Sequence, residues 1–224
     1  MKREKLHPPY LWRYLVQQAF QRQHPEAPVI VANAVIALDT WLRPTDRGLE
    51  WGSGRSTTWL ARRVAHLVSV EHNPAWHARI RAAIEARGMA AKVDYRLIEA
   101  PTDQMAEPPG HAYAAVADEI EDETLEFILV DGQMRLRCTQ KALAKLKPGG
   151  LLVLDGANRY LPNRFDGGFT TIHCRRSQPL NEEWQELAKV LRDWRGMNTS
   201  DGLWDTRFWV KPHDLAAAHA ASPP

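Results

Sequence analysis

The sequence predicts a three-layer α/β sandwich, in which helices cover both faces of a mostly parallel β-sheet that ends in an antiparallel hairpin. Three observations predict it. From Asp46 to Asp155, short apolar runs alternate with amphipathic helical stretches, the pattern of successive βαβ units. One run, the "FILV" of "EFILVDG", is continuously apolar, as in a strand covered on both faces. Near the end, "RGMNTSDGLWDTRFWVKP" sets Asp-Gly between two strand-like runs, which signals a hairpin.

The elements follow in order. Residues 8–42 read as helical, broken by "HPEAP". "RGLEW" is a short buried strand, and Ser56–Val64 is the helix after it. "HLVSVEH" is a second strand. From Pro74 a helix starts with proline in its first turn, and Trp76, Ile80, Ala83, Ile84 and Arg87 share one face of it. Gly88 stands where a helix C-cap glycine would. "KVDYRLIE" and "EFILVDG" are the third and fourth strands. "RLRCTQKALAKLK" is helical, with Leu136, Ala142, Leu143 and Leu146 inward; "KPGG" stops it and "LLVLDG" is the fifth strand. Trp184, Leu187, Ala188, Leu191 and Arg195 lie on one face of a last helix before the hairpin. Residues 1–45 are therefore expected to form a helical lid or extension packed on a main domain of residues 46–211. The tail 212–224, rich in alanine and ending in proline, is expected to fray or form a loose helix.

Composition narrows the function classes. A chain of 224 residues buries a sizeable core without disulfide or metal staples. The 29 basic and 27 acidic residues give a formal charge of +2, and no basic block or stripe suggests nucleic acid. Pairs such as Arg62-Arg63 and Arg175-Arg176 read as solvated faces. Cys138 and Cys174 form no CxxC pattern. The basic start is interrupted by Arg13 and Gln17, unlike a secretory signal, and "VIVANAVIAL" is too short to span a membrane. A cytoplasmic protein is the expectation. Nine tryptophans serve either core packing or an aromatic ligand wall; Trp194, Trp204 and Trp209 fall near the C-terminus.

The segment "GLEWGSGRSTTWL", residues 48–60, carries the chemistry. Gly52 and Gly54 allow a sharp turn and close approach of a ligand to the backbone. Glu71 comes seventeen residues after Gly54, at the end of the next strand, where an acid takes both hydroxyls of a ribose. Acids also end the other strands: Glu50, Glu99, Asp131 and Asp155. Strand propensity disfavours acids; five of them aligned with a glycine turn mark a polar cleft at the carboxyl ends of the strands. A dinucleotide fingerprint would have a third glycine where Arg55-Ser56-Thr57 stands, and G-x-G alone is weak.

"LEWGSGRST", "SVEHN" and "FILVDG…LKPGGLLVLD" together resemble the class I S-adenosylmethionine-dependent methyltransferases, over about residues 46–156, and "GLWDTRFWV" suits their final hairpin. The resemblance implies a Rossmann-like, seven-stranded sheet and S-adenosyl-L-methionine as methyl donor. It implies that Gly52, Ser53, Gly54 and Ser56 cradle the methionine part and that Glu50 serves its α-ammonium directly or through water. Glu71 takes the ribose, His72 or Asn73 lies beside the adenosine, and Glu99-Ala100 flank the adenine. Asp131 lies where the methyl-donor end opens to the acceptor.

For the acceptor, Asp131 is the first candidate base, its other reading being to hold the cofactor or cap the next helix. Arg135 and Arg137 either grip an acceptor anion or begin a solvated helix. Asp155, Asn158, Arg159 and Tyr160 are further candidates for the acceptor pocket, while His111 and His173 are bases or ordinary structural histidines. Catechol-type relatives hold a divalent metal on an Asp…Asp-Asn trio; here Gly156 stands beside Asp155 and Asn158 comes two residues later, so a metal is not favoured. A small-molecule or glycan acceptor, methylated on oxygen, is expected, with no nucleic-acid partner and no membrane span. A homodimer stays open. An NAD-dependent oxidoreductase and a non-catalytic nucleoside-binding module remain the alternatives.

Overall fold

The computed structural model describes residues 8–101, 107–163 and 176–213, with side chains described from residue 11. His173, Cys174, Arg175 and the tail beyond His213 lie outside the described residues. Seven strands form one sheet: β1 (Arg47–Trp51), β2 (His66–Glu71), β3 (Val93–Leu97), β4 (Leu125–Val130), β5 (Leu146–Asp155), β6 (Arg195–Ser200) and β7 (Asp205–Val210). Their order is β3-β2-β1-β4-β5-β7-β6. The first five are parallel, and β7 pairs antiparallel with both β5 and β6. This is the expected Rossmann-like sheet with its closing hairpin.

The chain direction across the sheet reverses between β1 and β4, the crevice where such folds bind ligands. Gly48↔Phe127 through Trp51↔Val130 fix the register there. That register brings the loops after both strands out side by side. From Phe127 to Val130 the "LEFILV" strand is apolar because its two faces serve two cores. Ile128 and Val130 join the cluster under α6 (Arg135–Lys145) and α7 (Glu182–Arg192), with Trp184, Leu187 and Leu191. Phe127 and Leu129 join the opposite cluster with Leu38 of α2 (Ala32–Trp41) and Leu60 of α3 (Arg55–Ala61). Burial on both faces makes this strand the centre of the hydrophobic stabilisation.

Several boundaries differ from the sequence expectation. The helix after β1 ends at Ala61, not Val64. "KPGG" lies within β5, where Leu146 already pairs with Leu125 and a register shift follows before Phe127↔Leu151. A bulge of this kind absorbs the glycines without ending the strand. Arg195 begins β6 and is exposed. In α4 (Pro74–Ala86) the buried positions are His77, Ile80 and Ile84; His77 stacks on Tyr95 at 4.3 Å, while Trp76 turns to the sheet's carboxyl edge. Gly88, at φ +67, does close that helix, with Met89 N donating to Ile84 O at 3.0 Å.

Five tryptophans (Trp51, Trp59, Trp184, Trp194 and Trp209) are core residues. Trp204 is partly buried, with the Arg159 guanidinium 4.5 Å over its ring. The helix α1 (Pro8–Gln23) lies over the sheet's carboxyl side, since Arg13 Nη1 donates to Gly202 O of the β6–β7 turn at 3.0 Å and Arg55 of α3 donates to Gln21.

Candidate active site

The glycine loop is held from beneath by β1's own acid. Glu50 is fully buried; its Oε2 accepts from Thr57 Oγ1 and from Ser69 Oγ, each at 2.7 Å. Thr57 Oγ1 in turn accepts from Gly54 N at 3.0 Å, so a chain of polar contacts runs from the strand into the turn. Oε1 of Glu50 has no hydrogen-bond partner. Burial drives the Glu50 carboxyl up from 4.5 to about 7, against the hydroxyls of Ser56, Thr57 and Ser69 that favour the charge.

Gly52 serves a close approach of two loops. It sits at φ +95, and a Cβ there would meet Gly132 N at 2.5 Å. Gly132 is equally confined, with Tyr113 Oη 2.1 Å from where its Cβ would be. Gly54 is different: its φ of 178° is ordinary extended backbone, and a Cβ would approach only Ser56 Oγ, at 3.8 Å. Gly52→Ala is therefore expected to destabilise the fold by about 2–4 kcal/mol, from the strained φ and the backbone clash, whereas Gly54→Ala leaves thermal stability within about 1 kcal/mol. Denaturation of the two variants side by side checks this; equal melting would refute it.

Glu71 forms the next wall. Its Oε1 accepts from the backbone N–H of His72 (2.9 Å) and Asn73 (2.8 Å), and its Oε2 from Ser53 Oγ (2.7 Å). Because the Ser53 hydroxyl proton goes to Glu71, the 2.6 Å contact between Ser53 Oγ and Tyr95 Oη has tyrosine as donor. Asn73 caps α4 through Trp76 N, and the Trp76 indole Nε1 donates to Ser53 O at 2.8 Å. Loop, acid and helix are thus locked together around one carboxylate, which still has an acceptor site to offer.

Across the cleft, Asp131 continues β4, and Arg135 opens α6. The Arg135 guanidinium is buried, not solvated. Its Nε donates to Gly132 O at 2.9 Å, and its Nη2 to Asp131 O at 2.9 Å and Oδ1 at 3.1 Å. Nη1 donates to Asp155 O and lies 4.0 Å from Asp155 Oδ2. Thr206 Oγ1 donates to Asp155 Oδ1 at 2.6 Å. Burial and the adjacent Asp155 carboxyl push Asp131 well above the usual carboxylate range, with Arg135 acting the other way. The cleft between these walls has a volume of about 370 Å³, in the range of small-molecule sites. Among the described residues no group of three or more His, Cys, Asp or Glu is placed to hold a metal ion.

The family model described as a methyltransferase domain matches residues 49–157, from β1 through the turn after β5. With the sheet order and the acids at the strand ends, this decides the family. The chain is a class I S-adenosylmethionine-dependent methyltransferase. No curated protein sequence matches it. Solved structures show the same fold at low identity. An O-methyltransferase from Bacillus cereus, in complex with SAH, is 19% identical over 79% of this chain and 78% of its own, with a TM-score of 0.53. A proposed caffeoyl-CoA O-methyltransferase from Staphylococcus aureus is 16% identical over 88% and 90%, with a TM-score of 0.55. An rRNA methylase from Streptococcus thermophilus is 10% identical over 80% and 96%, with a TM-score of 0.53. Acceptors this different on one fold mean that likeness alone does not choose among them.

The methyltransferase brings together Gly52, Ser53, Glu71, His72, Asn73, Asp131 and Arg135 in one cleft. Glu50 and Ser56 lie buried behind it. Glu99 is exposed two residues beyond the end of β3, and Ala100 packs against the core; neither lines the cleft. Asn158 is buried, its Oδ1 accepting from Asp205 N at 3.1 Å. Arg137 is paired with Glu183 at 2.6 Å on the outside of α6. His111 caps the short helix α5 (Ala112–Ala115) through Tyr113 N. Sequence reasoning missed Trp76 and Gln133, which line the methyltransferase cleft. For Trp76 the signal was its place just after the acidic motif; Gln133 carried none beyond adjacency to Asp131-Gly132.

Proposed function

We propose that this methyltransferase moves a methyl group from S-adenosyl-L-methionine to a hydroxyl oxygen of a small-molecule or glycan acceptor, with Asp131 as the base. The observation that carries this reading is the Asp131–Asp155–Arg135 cluster at one side of the cleft, opposite Glu71. The residues fit the donor. Glu71, pinned by three donors and with an acceptor site to spare, suits a ribose hydroxyl, and His72 and Asn73 flank it. The unpartnered Oε1 of the buried Glu50 suits a cationic group reached directly or through water. The open side of Gly54 leaves room beside the loop. The SAH complex of the Bacillus cereus neighbour supports the same choice of donor. When bound, the donor supplies an electrophilic sulfonium methyl.

The chain's own residues do the rest. The loop and Glu71 fix orientation, which supplies much of the acceleration in an in-line displacement. Arg135 braces the Asp131-Gly132 turn from below and holds the Asp131 carboxylate in place. A carboxyl raised above its usual range is a stronger base toward a hydroxyl proton, and Asp155, held by Thr206, supplies the neighbouring charge. Asp131→Asn is expected to lower kcat by about 10²–10⁴-fold while changing SAH affinity only a few-fold. Wild-type activity should rise with pH as Asp131 loses its proton, and Asp131→Asn should lose that limb. Incubation with S-adenosylmethionine and panels of phenolic, hydroxy-acid and glycan acceptors, read by product mass and position of the methyl group, tests the reading. Transfer to nitrogen, or to nucleic acid alone, would overturn it.

A further inference from the structure

The helix α1 is turned inside out relative to an ordinary surface helix. The residues it directs at the protein are polar: Arg13 reaches Gly202 O, Gln17 Nε2 donates to Ile30 O at 2.9 Å, and Gln21 Nε2 to Pro28 O at 3.1 Å. Phe20 adds an apolar contact. Its outward face carries Leu11, Trp12, Leu15 and Val16, with Trp12 70% exposed and the others about half exposed. At helical spacing these side chains form one continuous apolar strip. A soluble helix shows the reverse arrangement, and an apolar patch of this kind marks an interaction surface.

Charge selects the occupant. No acidic residue occurs in α1, whereas Arg22 lies at its end, and Lys2, Arg3 and Lys5 precede it in sequence with Glu4 the sole acid among them. A second copy packed on this strip would offer α1 no acidic residue to pair with. An anionic surface takes all of these cations. Trp12 and Tyr14 are residues that favour a boundary between water and hydrocarbon. No helix among the described residues is long and apolar enough to cross a membrane, so α1 would lie on the surface.

We infer that α1 docks the protein on an anionic lipid surface through the Leu11–Trp12–Leu15–Val16 strip, with Arg22 and the basic residues that precede the helix in sequence supplying the attraction. Burial of such a face into the headgroup boundary, aided by basic side chains, is how amphipathic helices bind membranes. The same helix is tied to the β6–β7 turn and, through Gln21, to Arg55 beside the glycine loop. Docking therefore places the carboxyl edge of the sheet near the lipid. The inference does not depend on which acceptor the cleft takes.

The test is co-sedimentation of the full chain with phosphatidylcholine vesicles, with and without a quarter of phosphatidylserine. The protein should bind the mixed vesicles, at least tenfold better than phosphatidylcholine alone, and release with salt. Leu11→Glu/Leu15→Glu should abolish binding, and Lys2→Gln or Arg22→Gln should weaken it about fivefold each. Melting temperature and sedimentation velocity without lipid should be the same for wild type and the double variant. Absence of vesicle binding would overturn the proposal. So would a dimer dispersed by the double variant, or a drop in its melting temperature, since either shows the strip already covered by protein. Binding to an acidic protein with none to vesicles would likewise overturn it.

Discussion

Glu71→Ala is expected to weaken S-adenosylhomocysteine binding at least a hundredfold. A hydroxyl held by a charged acceptor makes a bond worth about 1.5–3 kcal/mol, and 2.7 kcal/mol is about two decades in affinity. The substitution removes more than that bond. His72 N, Asn73 N and Ser53 Oγ all donate to this carboxylate, and its loss frees the loop that Trp76 pins through Ser53 O. Ser53→Ala separates the two effects, because it loosens one tether and leaves the carboxylate; a loss within about tenfold is expected there. Titration calorimetry on both variants, with circular dichroism to verify folding, is the check. Unchanged affinity in folded Glu71→Ala would remove Glu71 from the site.

The second large effect concerns stability. Glu50 ordinarily titrates near 4.5 and is pushed to about 7 by burial in the native protein. A carboxyl raised on folding favours the native state while protonated. That advantage is full below about pH 4.5 and is lost as pH rises through the window to 7. Across it the protein should lose on the order of 3 kcal/mol of stability, a shift of several degrees in Tm. Glu50→Gln keeps an oxygen for Thr57 and Ser69 and has no proton to lose. It should match the wild type near pH 4.5 and be more stable at pH 8, by up to that amount. The same variant should bind S-adenosylhomocysteine about tenfold or more weakly at pH 8, because it lacks the buried charge proposed to serve the cationic end. Parallel pH dependence in wild type and variant would contradict the assignment.

Retaining a destabilising buried charge beneath the loop is the pattern of a functional site that breaks a local rule. The same contrast explains what could be read from the sequence. Strand positions, the acid ending β2 and the glycine turn are legible because each follows from local periodicity or spacing: "HLVSVEH" overruns β2 by one residue, and Glu71 ends the strand. The start of β5 was not, since "KPGG" reads as a break until pairing of Leu146 with Leu125 absorbs it. From sequence Arg135 reads equally as a clamp or a solvated helix start, because sequence cannot show three carbonyls converging on one guanidinium. Trp76 fitted a helical core stripe, and only the tertiary approach of Ser53 O claims its indole. Gly52 looked like a ligand-facing glycine; its tightest neighbour is the backbone of Gly132, a contact between loops 80 residues apart in sequence.

Paired calorimetric titrations of the intact protein with S-adenosylhomocysteine and with NAD test the central claim most directly. The cleft built on Glu71, the glycine loop and the buried Glu50 predicts saturable one-to-one binding of S-adenosylhomocysteine, lost in Glu71→Ala, and no heat from NAD beyond dilution. Saturable binding of NAD with none of S-adenosylhomocysteine would contradict it.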